Sequence, residues 1–216
     1  MAILYRIVEF FTTGGLFMYP ILAVFAVGVA IAIERYITLT MVTRRNRRVW
    51  NQVHPLLDQG QFDEAREMTI NDQSTISQVL SMGLSLQGAV HRREDIEIAM
   101  EESMMGIVPR LEKRTPYVAL ASSIATLLGL LGTIMGLIQA FTAVANANPA
   151  EKADLLSASI SVAMNTTAFG LMVAIPLLVV HAILTSKTGD IIDSLEMATV
   201  KSLNVFSRNA RRIAEA

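Results

Sequence analysis

The stretch SVAMNTTAFGLMVAIP, residues 161–176, carries no charged side chain, yet Asn165, Thr166 and Thr167 stand together near its middle. A threonine hydroxyl in an apolar helix can bond back to the carbonyl four residues earlier and so costs little. An asparagine amide finds no such complete partner within its own helix, and lipid offers none, so Asn165 has to face another helix or a wet cavity. These groups can pass a hydrogen bond or help to solvate a cation, but none of them titrates. An ion path built on them needs a charge brought by a partner. Hydrogen-bonded glue between helices is the competing reading of the same residues. Other chemistry is sparse. The chain has no cysteine, which excludes a disulfide framework, a thiol nucleophile and a thiolate metal site, and His54, His91 and His181 lie far apart with no metal-ligand spacing.

Two apolar segments must position these side chains. In the first, small residues recur at intervals of three and four: Ser122, Ala125, Gly129, Gly132, Thr133, Gly136 and Ala140. On a helix this spacing makes one narrow stripe, within which Gly132 and Gly136 form a G-x-x-x-G pair. The second segment has a matching stripe of Ser159, Ala163, Thr166, Gly170 and Ala174, with Thr167 beside it. Small residues let membrane helices approach closely, and packing is what drives association in lipid. The expected packing contacts are therefore Gly129, Gly132, Gly136, Ala163, Gly170 and Ala174.

The whole composition agrees with a membrane setting. Of 216 residues, 52% are hydrophobic and only 17% charged, which is unusual for a soluble domain. A net charge of −1 and an aromatic content of 6% give no basis for nucleic-acid binding. A bilayer core needs about 20 apolar residues in a helix. The predicted fold is all-α, with three transmembrane helices and long cytoplasmic helical extensions. Its parts are an amphipathic outer-face helix over 1–15, spans over 16–41, 117–144 and 155–185, a cytoplasmic helical region over 42–116, a periplasmic loop over 145–154 and a C-terminal cytoplasmic helix over 186–216. Basic residues set the orientation. RRNRR at 44–48, EKR at 112–114, and Lys187, Lys201, Arg208, Arg211 and Arg212 flank one side, whereas the 145–154 loop holds only Lys152. This places the N-terminus outside and the C-terminus in the cytoplasm. Helical periodicity running from Arg93 into the second span predicts one long helix kinked at Pro109 and Pro116. Glu34 and Arg35 are expected as an interfacial pair, with Arg35 snorkelling to headgroups.

Two long motifs carry a family resemblance. LLGLLGTIMGLIQAF, residues 127–141, and ISVAMNTTAFGLMVAIP, residues 160–176, resemble the signatures of the MotA/TolQ/ExbB proton-channel family, on its three-span ExbB/TolQ side. GGLFMYPIL and ERYITL fit the family's first span. The resemblance implies a pentameric ring in the bacterial inner membrane, with a pore lined by the last two spans. That pore holds the membrane helices of an ExbD-like or TolR-like dimer, whose aspartate carries the proton. Family threonines near that aspartate match Thr133 and Thr167, with Asn165 and Thr166 as support. The implied function is a motor subunit, not an enzyme, that couples cation influx to mechanical work on envelope proteins through a TonB-like protein. A TolQ-like or motility-stator role, or a non-conducting membrane scaffold, is the alternative. No bound cofactor is expected; the transported ion is H⁺, with Na⁺ open because neutral oxygens also suit it. One position departs from the pattern: many members have a glutamate where this chain has Val162.

Overall fold

Glycine at position 15 begins the described chain with a turn. Its φ of +76° lies in the left-handed region that side chains disfavour, and Met18 N donates to Gly15 O at 3.3 Å to start the first helix. The computed structural model describes residues 15–88 and 92–215. The outer-face helix expected over 1–15 therefore falls, apart from Gly15, outside the described residues. Among the described residues six helices follow in order: α1 (Met18–Asp58), α2 (Phe62–Ile70), α3 (Thr75–Leu86), α4 (Arg93–Glu112), α5 (Thr115–Asn146) and α6 (Lys152–Glu215). The all-α class is as predicted, and among the described residues three helical stretches are long and apolar enough to cross a membrane.

The chain divides into two units. The first contains residues up to 34 together with 114–183; the second contains 35–113 together with 184–216. In the first unit the early part of α1 packs on α5 and α6 through small residues. A methyl added at Gly28 would sit 3.1 Å from the Leu177 side chain and 3.2 Å from Ala121 Cβ. The inner positions are mostly alanine, glycine and valine, whereas Leu127, Ile134, Phe141, Met172 and Ile175 point outward and are exposed. An exposed apolar exterior around a small-residue interior is the inverse of a water-soluble fold and the normal state of a lipid-facing one.

The second unit is built differently. Leu39, Val53 and Leu57 of α1, Leu80 and Leu84 of α3, Met100, Ile107 and Leu111 of α4, and Leu184, Ile191, Leu195 and Leu203 of α6 form its core. Along α6 these recur at intervals of seven, four and eight, the stripe of an amphipathic helix. Polar side chains tie the loops down. Ser74 caps α3 by accepting from Ser77 N at 3.3 Å. Buried Asn46 donates to Thr75 Oγ1 at 2.7 Å and accepts from Ile76 N at 3.3 Å. Asp72 accepts from Ser74 N at 2.6 Å, from Ser77 Oγ at 3.1 Å and from Arg45 Nη2 at 3.1 Å.

Two expectations are corrected. The helix predicted to run unbroken from Arg93 into the second span ends at Glu112, and a new one begins at Thr115. Pro116 has no N–H for the Glu112 carbonyl, and its ring would strike that carbonyl in a continuous helix. The chain instead turns through Arg114, whose φ of +68° is left-handed and costly for a side-chain-bearing residue. An ion pair from Arg114 to Glu34 at 3.5 Å accompanies the turn. Arg35 does not snorkel: it is 5% exposed and donates through Nη2 to the carbonyl oxygen of Leu111, in the last turn of α4. A cation beside unsatisfied C-terminal carbonyls is favourable, which accounts for a charge at this depth.

Candidate ion-pathway site

The closest approach of α5 and α6 sets the site. A methyl added at Gly170 would lie 2.7 Å from the Ala125 carbonyl oxygen and 3.0 Å from Gly129 Cα, so only glycine fits. One added at Gly136 would lie 2.8 Å from Ala163 Cβ, and one at Gly132 would run into the Thr166 methyl. Ser122 Oγ donates to the Ala174 carbonyl oxygen at 2.8 Å and joins the two helices lower in the same seam. Backbones this close put side chains of modest length within reach of the opposite helix.

Thr133 and Thr167 meet there. Their hydroxyls are in hydrogen-bonding contact with each other. Both also lie against one carbonyl: Thr167 Oγ1 donates to Gly129 O at 2.9 Å across the seam, and Thr133 Oγ1 reaches the same oxygen at 3.2 Å within its own helix. Each hydroxyl has one proton and two lone pairs. Two protons serve three contacts, so the trio has more than one hydrogen-bond arrangement. When both hydroxyls donate to Gly129 O, their lone pairs are left to accept from, or coordinate, a cation. Both threonines are half-buried, so the oxygens border the seam instead of being sealed inside it. The arrangement offers converging neutral oxygens and no proton of its own to release.

The other two predicted residues part from this pair. Thr166 is buried, donates to Val162 O at 3.0 Å and packs on Gly132. Asn165 is half-buried, and no hydrogen bond to it is seen among the described residues. Successive residues on a helix differ by about 100°, so Asn165 and Thr167 point to nearly opposite flanks, with Thr166 between them. Three polar residues adjacent in sequence therefore have three different surroundings. The Gly129 carbonyl, central to the trio, is a backbone atom, and side-chain reading has no signal for it. Ser122 stands in the predicted stripe, but its hydroxyl bond across the seam has no signal in the spacing. Among the described residues, no group of three or more His, Asp or Glu could hold a metal ion.

A three-span helical membrane protein with a small-residue seam and a hydroxyl cluster is the class that fold and site define. Comparison with known proteins places it further. Residues 71–197 match the MotA/TolQ/ExbB proton channel family. A protein named as an ExbB homolog of Methanothermobacter thermautotrophicus is 28% identical over 210 residues, covering 96% of this chain and 72% of its own. An ExbB-like protein of Synechocystis is 28% identical over 163 residues, 75% of this chain and 77% of its own. The Tol-Pal system protein TolQ of Haemophilus influenzae is 36% identical over 78 residues, 36% of this chain and 34% of its own. The chain belongs to the MotA/TolQ/ExbB family and is a multi-pass membrane protein. The family is one of channel-type motor subunits of the envelope.

Proposed function

We propose that this chain is the ring subunit of an inner-membrane, cation-driven motor of ExbB type, working on envelope proteins through a TonB-like partner. The observation that carries the reading is the Thr133–Thr167–Gly129 oxygen cluster, in a seam where neither α5 nor α6 supplies an acid between residues 115 and 150 or between 155 and 189. Such a cluster can assist a cation but cannot release a proton, so the titrating carboxylate belongs to a partner. An ExbD-like or TolR-like single-span dimer with a membrane aspartate, held within an oligomeric, pentameric ring, meets that need. Thr133 and Thr167 face the partner's acid, and H⁺ is the transported ion. The orientation has the N-terminus periplasmic and the C-terminus cytoplasmic.

The test is ion flux through the complex of this chain and its partner in liposomes, under separate H⁺ and Na⁺ gradients. Thr167→Val removes one hydroxyl at nearly constant volume. It is expected to abolish most of the flux while the complex still co-purifies, and Thr167→Ser is expected to restore it. Full flux in Thr167→Val overturns the role of the hydroxyl. A second reading, a non-conducting scaffold, is favoured by the fact that the three oxygens can satisfy one another. No flux in the unaltered complex under either gradient would establish it.

A further inference from the structure

Where α1 leaves the bilayer, the face of the helix changes character without changing direction. Ile37 and Met41 are exposed, at 51% and 59%. Arg44 and Arg48 follow at the same three- and four-residue spacing, and they too are exposed. In the same stretch of helix, Tyr36 is half-exposed, Lys187 Nζ lies 4.2 Å above its ring, and the same ammonium donates to Thr40 Oγ1 at 2.6 Å. A tyrosine and a lysine paired at the end of an apolar stripe mark headgroup level. Arg44 is one turn beyond Thr40, about 6 Å along the axis, and a headgroup layer is about 5–7 Å deep on each side of the hydrocarbon. Side chains on a helix lean towards its N-terminus, and here that leans the arginines back towards the membrane.

These residues line a cavity of about 460 Å³ formed by Met41, Arg44, Arg45, Arg48, Gln52 and Asp72 with Val49. Its single acid is already engaged. Asp72 accepts from Arg45, Ser74 and Ser77, whereas Arg44 and Arg48 have no ion pair among the described residues. The cavity therefore presents two uncompensated guanidinium groups with an apolar methionine on its bilayer side. Guanidinium forks match phosphate oxygens, and a volume of this size lies in the range of small-ligand sites.

We infer that this cavity binds the phosphodiester headgroup of an anionic phospholipid, with Arg44 and Arg48 on the phosphate and Met41 against the start of the acyl chains. The occupant is a membrane lipid because the apolar and basic parts of the site are stacked in the order in which a lipid presents its tail and head. This inference rests on α1 being a membrane helix and is independent of the ion pathway.

Full-length protein in neutral detergent is titrated with phosphatidylglycerol or phosphatidylcholine, and retained lipid is counted by native mass spectrometry. Phosphatidylglycerol is expected to bind at least about tenfold more tightly, and Arg44→Gln/Arg48→Gln to weaken it about 30-fold, with a much smaller loss for phosphatidylcholine, whose choline offsets the charge of its phosphate. Arg47→Gln, on the neighbouring face and outside the cavity, is the control and should have a much smaller effect. Unchanged helical circular dichroism in the double variant separates a lost site from a lost fold; because all three arginines are exposed, the fold is expected to persist. Equal retention of the two lipids, or undiminished phosphatidylglycerol retention in the double variant, overturns the inference. Displacement of phosphatidylglycerol by millimolar inorganic phosphate overturns the lipid in favour of a free anion. If the double variant loses subunit association but keeps its lipid, the arginines serve a second copy of the chain instead, for which the Glu97, Glu101 and Glu196 groove offers opposite charge.

Discussion

The two units of this chain solve one packing problem in opposite ways. In the second, large apolar side chains fill the interior and polar side chains pin the loops, because water rewards burial of apolar area. In the first, most large side chains face outward and the interior, apart from Met18, Ile21 and Leu177, is mostly alanine, glycine and valine with a few serines and threonines, because lipid gives no such reward and close fit has to hold the helices. The difference teaches where each unit is vulnerable. A core built on area tolerates a change of shape at a cost graded by volume. A seam built on backbone contact has nowhere to move.

The largest expected effect follows at Gly170. Valine there would drive its side chain against the Ala125 carbonyl and Gly129 Cα, both backbone atoms. Gly170→Val is expected to separate α5 from α6, with a loss of about 3 kcal/mol or more. The check is the yield of monodisperse protein after detergent extraction; near-normal yield would break the comparison, since the seam would then be as adaptable as a core. Next is Asn46, the buried hub of the second unit. Asn46→Leu leaves Ile76 N and Thr75 Oγ1 without this partner, and a loss of about 1–3 kcal/mol is expected in thermal unfolding.

A smaller effect belongs to Asp72, and its sign can be worked out. Burial pushes the carboxyl up, but hydrogen bonding from Ser74, Arg45 and Ser77 outweighs it and holds the pKa at about 2, below the ordinary 3.8. A depressed folded value means that the stabilisation is fully present above about pH 4 and is lost as pH falls through about 2. With the side chain partly exposed and screened, about 1 kcal/mol is expected. The drop in unfolding temperature of the native chain across that pH window should shrink in Asp72→Asn. An identical drop would show that the Asp72 loop contributes nothing to the acid response.

How legible all this is in the sequence depends on the range of each interaction. The three apolar stretches and both small-residue stripes follow from local spacing, because a helix turns periodicity into a face. The stripe residues Gly129, Gly132, Gly170 and Ala174 are accordingly buried. The direct contact of Thr133 with Thr167 has no signal in the spacing: periodicity puts Thr133 within one stripe and Thr167 beside the other, and the family motifs put both near a pore without pairing them. Adjacency in sequence groups Asn165 with Thr167, and a helix converts that adjacency into separation. The break at Arg114 looks like a kink in the sequence, because Pro116 signals a missing bond but not how the chain compensates. Arg35 on Leu111 and Asn46 on Thr75 join residues 76 and 29 apart, and no periodic pattern encodes such contacts. The Gly129 carbonyl has no side-chain signature at all.

The smallest effect sharpens the comparison most, because it repeats the first experiment in the other unit. A methyl added at Gly83 of α3 would sit 2.6 Å from Met100 Sδ, as tight as the 2.7 Å contact at Gly170. The two distances predict equal damage, but the neighbours differ in kind. Methionine is unbranched, with three rotatable bonds, and its thioether end repacks at low cost. A carbonyl in the middle of α5 moves only with its helix. Alanine also gains up to about 1 kcal/mol over glycine within a helix, which offsets the repacking of Met100. Gly83→Ala is therefore expected to change stability by less than about 1 kcal/mol in either direction, whereas Gly170→Ala costs more than that. Thermal unfolding of the two variants side by side is the measurement. If Gly83→Ala proves as damaging as Gly170→Ala, contact distance alone governs both sites, and the contrast between an adaptable core and a rigid seam is lost.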